Sequence, residues 1–410
     1  MEASVRLEYS KKASQSPMLK RILLTLLGAL IGASSLNAAQ ALERPDAPKY
    51  GKRGAYAVGT RELSLEGLPN ITIWYPAARL PGQPPRATYQ YGVLIGEGRA
   101  YRDGQPDRRD APYPLIIFSH GLGGARIQSV FYAEHLASHG FIVMAADHPN
   151  STFGDLLRGN SQRVLESFAR RPLEVLRLLE YAVQLNTADE QLRGLIDTET
   201  VGVSGHSFGG YTALAAGGAQ LNINAVRQGC ESGKLPEQLC FFVQSEEIIW
   251  RVRGLSAAPE GLYPPTSDPR IKAVAAFAPS SGPLFGAEGA AALRLPLMII
   301  VGSRDQATPP ERDAYPIYEA VSSAQKTLVV FENAGHYIFI EECVPALIAL
   351  GRFEQCSDPV WDMQRAHDLI NHFATAFFLY TLKGDAAARA ALDPAAVNFN
   401  GITYRRDGAW

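Results

Sequence analysis

The stretch that decides the fold is Val201-Gly202-Val203-Ser204-Gly205-His206-Ser207-Phe208-Gly209-Gly210. Its apolar start is typical of a buried strand, its centre matches the pattern Gly-x-Ser-x-Gly, and residues 208–217 continue as a helix rich in small residues. A serine at such a strand-to-helix turn projects its hydroxyl at the carboxyl end of the strand, because the flanking glycines let strand and helix approach closely. We predict that Ser207 is a nucleophile; a serine in an ordinary turn is the alternative.

Alternating strands and helices surround this turn. Short, continuously apolar runs are typical of parallel strands that are covered on both faces. They occur at residues 115–118, 141–146, 200–204, 271–278, 296–301 and 327–331, after two short strands near residues 55–65 and 68–75. Helical patterns occur at residues 127–138, 172–185, 208–217 and 361–382. This alternation predicts an α/β fold with a mostly parallel central sheet and helices on both faces.

Two features of the remaining chain bear on this assignment. Residues 80–112 are rich in Pro, Gly and Arg and are predicted to be a connection. The helix at residues 172–185 is expected to start at Pro172, because proline is favoured in the first turn of a helix.

The residues that would activate Ser207 come later in the chain. A nucleophilic serine needs a base and an acid that orients the base, and in this fold they follow in the order serine, acid, histidine. His336 follows the last apolar run in a glycine-containing loop, whereas His367 and His372 fall inside the predicted C-terminal helix. Asp305 follows the preceding apolar run. We predict His336 as the base and Asp305 as the acid; a capping or turn role is the alternative for Asp305.

An oxyanion hole is predicted from two backbone N–H groups. The first belongs to Phe208, the residue after the nucleophile. The second belongs to Leu122 in the glycine-rich run at residues 119–124, because glycines let backbone N–H groups point at a carbonyl oxygen. His120 and His206 are expected to form local hydrogen bonds beside the site.

These motifs together resemble those of the α/β-hydrolases, in particular the bacterial dienelactone-hydrolase-like proteins and the platelet-activating-factor acetylhydrolase group. The resemblance is carried by residues 113–123, by residues 136–143 and by the elbow at residues 205–210, and it extends over roughly residues 50 to 380. It implies a carboxylic ester hydrolase with a Ser/Asp/His triad and no cofactor.

The sequence departs from both groups. In the acetylhydrolases the acid follows the strand after the elbow helix, but here that strand ends Ala276-Phe277-Ala278-Pro279, without a carboxylate. Asp305 lies one strand later, where dienelactone hydrolases and many lipase-like relatives carry the acid. Dienelactone hydrolases use a cysteine nucleophile in place of Ser207. The resemblance therefore implies a serine esterase acting on a small-molecule ester, with acyl transfer on the same triad or a catalytically silent binding protein as alternatives.

Residues 220–269 interrupt the alternation of strands and helices. They lack a clear core strand and carry Trp250 and a tyrosine–proline cluster. Long segments of this kind are usually functional or form a cap. We predict a partial cap over the acyl pocket, because a segment after the elbow helix can fold over the carboxyl edge of the sheet; surface decoration is the open alternative.

Composition narrows the class of protein. The chain has 410 residues, of which 46% are hydrophobic and 20% charged, with a net charge of −2. This is a globular composition, and the absence of a long basic run argues against a nucleic-acid partner. No Cys-x-x-Cys spacing accompanies the His-x₃-His spacing of His135 and His139, so no metal site is predicted. The sequence does not indicate an oligomeric state.

The N-terminal residues have the layout of a secretory signal. Lys20 and Arg21 precede an apolar run at residues 22–31, and Ala39-Gln40-Ala41 has the form of a cleavage site. The run is shorter than the ~20 residues a membrane span needs, although an anchor helix is the alternative. We expect a signal at residues 1–41, with an upstream-start extension at 1–17, a hydrolase domain at 42–395 and a tail at 396–410. The expected location is secreted or periplasmic, without a stable membrane anchor.

Export would favour oxidised cysteines. The chain has Cys230, Cys240, Cys343 and Cys356, for which three pairings are possible. Sequence proximity favours Cys230–Cys240 and Cys343–Cys356, and four reduced thiols are the alternative.

Overall fold

The computed structural model describes residues 44–80, 85–91, 94–158 and 161–410. The predicted signal at residues 1–41, with its extension at 1–17, lies outside these residues. The description below concerns the compact unit Pro45–Trp410. No helix among the described residues combines the length and the apolar character that crossing a membrane requires.

A single sheet of eleven strands organises the described residues. The strands are β1 (Ala57–Leu65), β2 (Leu68–Ala77), β3 (Arg86–Tyr91), β4 (Leu94–Arg102), β5 (Tyr113–Ser119), β6 (Ile142–Ala146), β7 (Ile196–His206), β8 (Ile271–Phe277), β9 (Leu297–Gly302), β10 (Gln325–Phe331) and β11 (Ile402–Gly408). Their order across the sheet is β11-β10-β9-β8-β7-β5-β6-β2-β1-β4-β3. The six neighbours from β10 to β6 are parallel, whereas β2 and β11 run antiparallel to β6 and β10. The predicted mostly parallel α/β sheet is confirmed.

Helices cover both faces of this sheet. They are α1 (Val130–Ser138), α2 (Phe153–Leu157), α3 (Ser161–Ala188), α4 (Phe208–Ala216), α5 (Ile223–Glu231), α6 (Glu237–Gln244), α7 (Glu246–Val252), α8 (Gly286–Ala291), α9 (Pro310–Asp313), α10 (Tyr315–Ala320), α11 (Pro345–Ala349), α12 (Met363–Lys383) and α13 (Ala386–Ala391). Leu115 and Ile117 of β5 pack in the cluster that contains α3 and α4, and Ile116 and Phe118 pack in the cluster that contains α1 and α12. Because alternate side chains of a strand point to opposite faces, covering both faces produces a continuous apolar run.

The connection predicted at residues 80–112 is wrong in part, because it contains β3 and β4. These two strands pair with each other, and β4 pairs with β1 over two residues. They lie at the edge of the sheet, where side chains can stay exposed and the apolar pattern is weak. The proposed tail at residues 396–410 is also wrong as a tail, because β11 completes the opposite edge.

The predicted start of the third helix at Pro172 is wrong as well. Helix α3 begins at Ser161 and carries Pro172 in its interior. Proline has no N–H group and leaves the carbonyl four residues earlier without its helical partner. Here that carbonyl belongs to Phe168, and the hydroxyl of Tyr211 donates to it at 3.0 Å. A contact from α4 therefore stabilises the interruption.

Residues 220–269 fold as α5, α6 and α7 against the core. Val226, Phe242, Ile249 and Tyr263 are buried in the cluster that contains α3 and α4. Part of residues 220–269 is thus buried in the core, and the role of this segment as a cap stays a prediction.

The structure joins Cys230 to Cys240 and Cys343 to Cys356, the two pairs favoured by sequence proximity.

Candidate active site

Ser207 lies at a sharp turn between β7 and α4. Its backbone has φ 58° and ψ −117°, in the region that is costly for residues other than glycine. Two hydrogen bonds hold this conformation: the N–H of Ser207 donates to the carbonyl of Phe277 at 2.8 Å, and the N–H of Ser280 donates to the carbonyl of Ser207 at 3.0 Å. The neighbouring strand β8 and the loop after it therefore hold the turn.

The glycine after this turn allows a very close approach. A Cβ atom on Gly209 would lie 1.8 Å from the carbonyl oxygen of Ser119 at the end of β5. Only glycine fits there. Close packing against β5 therefore explains the last glycine of the pattern Gly-x-Ser-x-Gly.

Asp305 and His336 are in direct contact. Asp305 Oδ2 lies 2.6 Å from His336 Nδ1, and both side chains are buried. An ionised carboxylate only accepts hydrogen bonds, so Nδ1 carries the proton and Nε2 is left as the basic nitrogen. The other oxygen, Oδ1, accepts the N–H groups of Ala307 and Thr308 at 2.9 and 2.8 Å. Asp305 is thus both the residue of a tight turn and the partner of the histidine.

Ser207 is not hydrogen-bonded to His336 in the described part of the chain. The two residues are linked through His206, whose ring centroid lies 4.5 Å from that of His336 and whose Nε2 donates to the His336 carbonyl at 3.1 Å. In enzymes the bond between nucleophile and base is often long until substrate binds. Asp305 and His336 are brought together, and the catalytic roles of all three residues stay predictions.

The two amides predicted to form an oxyanion hole lie beside the elbow. No described residue accepts a hydrogen bond from the N–H of Leu122 or of Phe208. Phe208 opens α4, where backbone N–H groups have no partner within the helix. A Cβ on Gly121 would lie 3.4 Å from the Cβ of Ser207, so the loop of Leu122 borders the serine.

Thr308 is a site residue that the sequence did not single out. Its hydroxyl lies 2.8 Å from Asp305 Oδ2, 3.1 Å from the Ala278 carbonyl and 3.2 Å from His336 Nδ1. The only local signal was its position three residues after an aspartate. The hydroxyl helps to fix the carboxylate that faces the histidine.

A cluster of buried polar side chains packs against the loop of Leu122. Arg171 is fully buried, donates to the carbonyl of His120 at 2.5 Å, and lies 4.0 Å from the centre of the Phe208 ring. Burial lowers the pKa of Arg171 to about 9, and burial raises the pKa of Glu174 to about 7. Glu174 lies 2.7 Å from His148 Nδ1. Sequence reasoning missed Arg171 and Glu174, because they lie on α3, far along the chain from the loops that they contact.

Comparison with known proteins gives a family match and three informative relatives. Residues 116–349 match the alpha/beta hydrolase family. A platelet-activating factor acetylhydrolase from Canis lupus familiaris is 27% identical over 242 residues, covering 44% of this chain and 54% of the relative. Those from Cavia porcellus and Bos taurus are 30% and 33% identical, covering 27% and 26% of this chain and 33% and 32% of the relatives. The chain therefore spans about a third to about half the length of these relatives.

The matched range includes the elbow, Asp305, His336 and the parallel strands that carry them. It covers more than half of the 410 residues. The chain belongs to the alpha/beta hydrolase family.

Proposed function

We propose that this protein is a carboxylic ester hydrolase with Ser207 as nucleophile, His336 as general base and Asp305 as the orienting acid. The observation that carries the proposal is the 2.6 Å contact between Asp305 and His336 beside a strained serine turn. Structural ion pairs also join aspartate to histidine, but they have no need of a neighbouring serine in a strained backbone. Fold alone would not support this assignment.

The proposed reaction has two steps. Ser207 Oγ attacks the ester carbonyl carbon while His336 Nε2 takes the hydroxyl proton, and the same proton then passes to the departing alcohol. Water next attacks the acyl carbon and gives a proton to Nε2; the bond between that carbon and Ser207 Oγ then breaks, Nε2 returns the proton to Oγ, and the carboxylic acid leaves. The N–H groups of Leu122 and Phe208 stabilise the negative oxygen that forms in both steps.

The substrate class follows from the relatives. These relatives are acetylhydrolases by name, so we propose a small-molecule ester with a short acyl chain. Comparing kcat/KM for p-nitrophenyl esters of two, four, eight and twelve carbons tests this. A maximum at the longest chain would contradict the short-chain assignment and leave the triad untouched.

The test of the nucleophile is Ser207→Ala. We expect kcat to fall by about 10⁴-fold or more with unfolding unchanged, and labelling by a fluorophosphonate to disappear. Ser280→Ala is the matched control, because Ser280 uses its backbone N–H to hold the turn and keeps that bond when its hydroxyl is removed. Turnover near the wild-type rate in Ser207→Ala would overturn the proposal.

We also propose that the protein works outside the cytoplasm, after removal of residues 1–41. Two disulfides in the described residues support this, since disulfides persist in oxidising compartments. The mature N-terminus, measured by mass spectrometry on protein expressed in a bacterium, should be Leu42. An intact N-terminal segment on the folded protein would contradict the cleavage.

A further inference from the structure

A chain of three hydrogen bonds connects the loop of Leu122 with the loop of His336. The N–H of Gly121 donates to Gln128 Oε1 at 2.9 Å. Gln128 Nε2 lies 2.9 Å from His206 Nδ1, and His206 Nε2 lies 3.1 Å from the carbonyl oxygen of His336. This series of hydrogen bonds begins one residue before Leu122, a proposed oxyanion donor, and ends on His336, the proposed base.

Chemistry dictates the direction of every bond in this chain. A backbone N–H can only donate, so the amide oxygen of Gln128 faces Gly121 and its NH₂ group faces His206. His206 Nδ1 must then accept, which places the ring proton on Nε2. That proton points at the carbonyl of His336, which can only accept. Burial holds the pKa of His206 well below its usual range, so the ring stays neutral, as this arrangement requires.

The carbonyl group of Gly121 is held by a hydrogen bond as well. The backbone N–H of His148 donates to His120 Nε2 at 3.0 Å, so His120 Nδ1 carries the proton and donates to the carbonyl of Gly121 at 2.7 Å. The carbonyl of Gly121 and the N–H of Leu122 belong to one planar trans peptide and point in opposite directions. Fixing the carbonyl therefore fixes where the Leu122 N–H points.

The loop is shaped around the Gln128 side chain. A Cβ on Gly124 would lie 2.2 Å from Gln128 Oε1, and one on Gly121 would lie 3.2 Å from the same atom. The two glycines leave the space that the amide occupies. The backbone carbonyl of Gln128 also accepts the N–H of Glu341, five residues after His336.

We propose that Gln128 and His206 are positioning residues, which hold the N–H of Leu122 and the imidazole of His336 in a fixed relation during ester hydrolysis. This inference rests on the proposed function. Neither residue touches the reacting atoms. Their contribution lies in keeping a donor and a base aligned, where a displacement of about 1 Å can cost ~10²-fold in rate.

The kinetic test is Gln128→Met, which keeps the length of the side chain and removes both hydrogen bonds. We expect kcat on p-nitrophenyl acetate to fall about 10- to 100-fold while KM changes less than about threefold, because the lost alignment matters most in the transition state. Ser129→Ala is the matched control: it removes a buried hydrogen bond to the Phe339 carbonyl, beside the same loops, and should leave kcat within about twofold. Equal kcat losses in both variants, or none in Gln128→Met, would overturn the positioning role.

A second readout is independent of turnover. In the wild-type protein, ¹⁵N NMR of the histidine side chains should show His206 protonated at Nε2 and unprotonated at Nδ1. In Gln128→Glu the carboxylate still accepts from Gly121 but cannot donate, so His206 should take up a proton at Nδ1. A wild-type His206 protonated at Nδ1 would overturn the proposal even if Gln128→Met failed to fold.

Failure of the proposed function would look different. Wild-type protein and Ser207→Ala would then be equally inactive on every ester, whereas failure of the positioning role alone would leave an active wild type and an equally active Gln128→Met.

Discussion

At the scale of single residues, the two oxygens of Asp305 have separate tasks. Oδ1 closes the turn after β9 by accepting two backbone N–H groups, and Oδ2 faces His336. The sequence offered a turn role and a catalytic role as alternatives, and the geometry is compatible with both at once. The turn presents the carboxylate at the correct place beside the histidine.

Asp305→Asn is predicted to lower kcat by about 10⁴-fold, because an amide NH₂ facing Nδ1 stabilises the wrong tautomer of the imidazole. The amide oxygen can still accept the N–H groups of Ala307 and Thr308, so the free energy of unfolding should change little. Steady-state kinetics and urea unfolding measure the two effects.

Glu311→Gln is the control for this prediction, because Glu311 is an exposed carboxylate on the following helix. It should keep full activity. Asp313, the other nearby carboxylate, is buried, accepts the N–H of Gly282 at 3.0 Å and pairs with Arg312. If Asp305→Asn kept more than about a tenth of the wild-type kcat, a loss below roughly 1.4 kcal/mol, the assignment of the acid would be wrong.

At the scale of elements, the contact between β5 and α4 tolerates no side chain at Gly209. We predict that Gly209→Ala lowers the free energy of unfolding by about 3 kcal/mol, since backbone atoms of Ser119 occupy the position of the new methyl group. Gly261→Ala serves as the comparison, because a Cβ there meets no atom within 4 Å, and it should change stability by less than about 0.5 kcal/mol. Equal stability of the two variants would contradict the close packing.

The two disulfides should differ in their effect on activity. The loop closed by Cys343–Cys356 leads to Asp358, whose Oδ2 accepts the N–H of Gly335, the residue before His336, at 2.8 Å. Replacing both cysteines of this pair by serine should lower the free energy of unfolding by about 3 kcal/mol and also reduce kcat.

The matched variant replaces Cys230 and Cys240, which close a loop of similar length in residues 220–269. It should lose a similar amount of stability and keep kcat, because within the part of the chain that the structure describes no hydrogen bond joins the loop that this pair closes to the loop of His336. Denaturant unfolding and kinetics under conditions where both variants are folded provide the comparison. Equal kcat in the two double variants would refute the link through Asp358.

The helices of residues 220–269 reach the elbow through aromatic rings. Phe242 of α6 packs edge-on against Phe168 at 4.6 Å, and the Phe168 ring lies 4.0 Å from that of Phe208. The Phe168 ring therefore lies between Phe242 of this segment and Phe208, a proposed oxyanion residue. A role of the segment as a cap over the acyl pocket stays a prediction.

At the scale of the whole molecule, buried histidines make stability depend on pH. Burial lowers the pKa of His139, His367 and His372 to about 4. The unfolded chain binds these protons near pH 6.5, so it binds more protons than the folded protein between about pH 6.5 and 4, and stability falls as the pH drops through this range. Burial raises the pKa of Glu341 to about 8, which has the opposite sign and reduces stability as the pH rises from about 4.5 to 8.

The histidines determine the sign of the sum, because burial lowers the pKa of His120, His135, His148 and His206 as it lowers that of the other three. The free energy of unfolding should therefore rise between about pH 4 and 6.5. In His367→Gln its slope between pH 4.5 and 6 should fall by about 1 kcal/mol per pH unit, measured by urea unfolding at each pH. An unchanged slope would show that His367 titrates normally in the folded protein.

The sequence predicted the central strands of the sheet better than the outer ones. The central strands were predicted to within a few residues, because a strand buried on both faces must be apolar throughout. Strands β3, β4 and β11 were missed, since β3 and β11 lie at the two edges of the sheet and β4 pairs with β1 over only two residues, so their mixed composition resembles that of a loop. The start of α3 was predicted wrongly at Pro172, because the hydroxyl that donates to the Phe168 carbonyl comes from another helix.

By itself, the sequence determined the α/β alternation, the turn at Ser207 and the positions of Asp305 and His336 after successive strands. Local patterns suffice for these features, because each one is fixed by residues within a few positions of one another. The tertiary structure decided that Asp305 meets His336, that Thr308 braces the carboxylate, and that Gln128 joins two loops. Such contacts depend on distances between residues far apart in the chain, and only the packing of the whole sheet and its helices sets those distances.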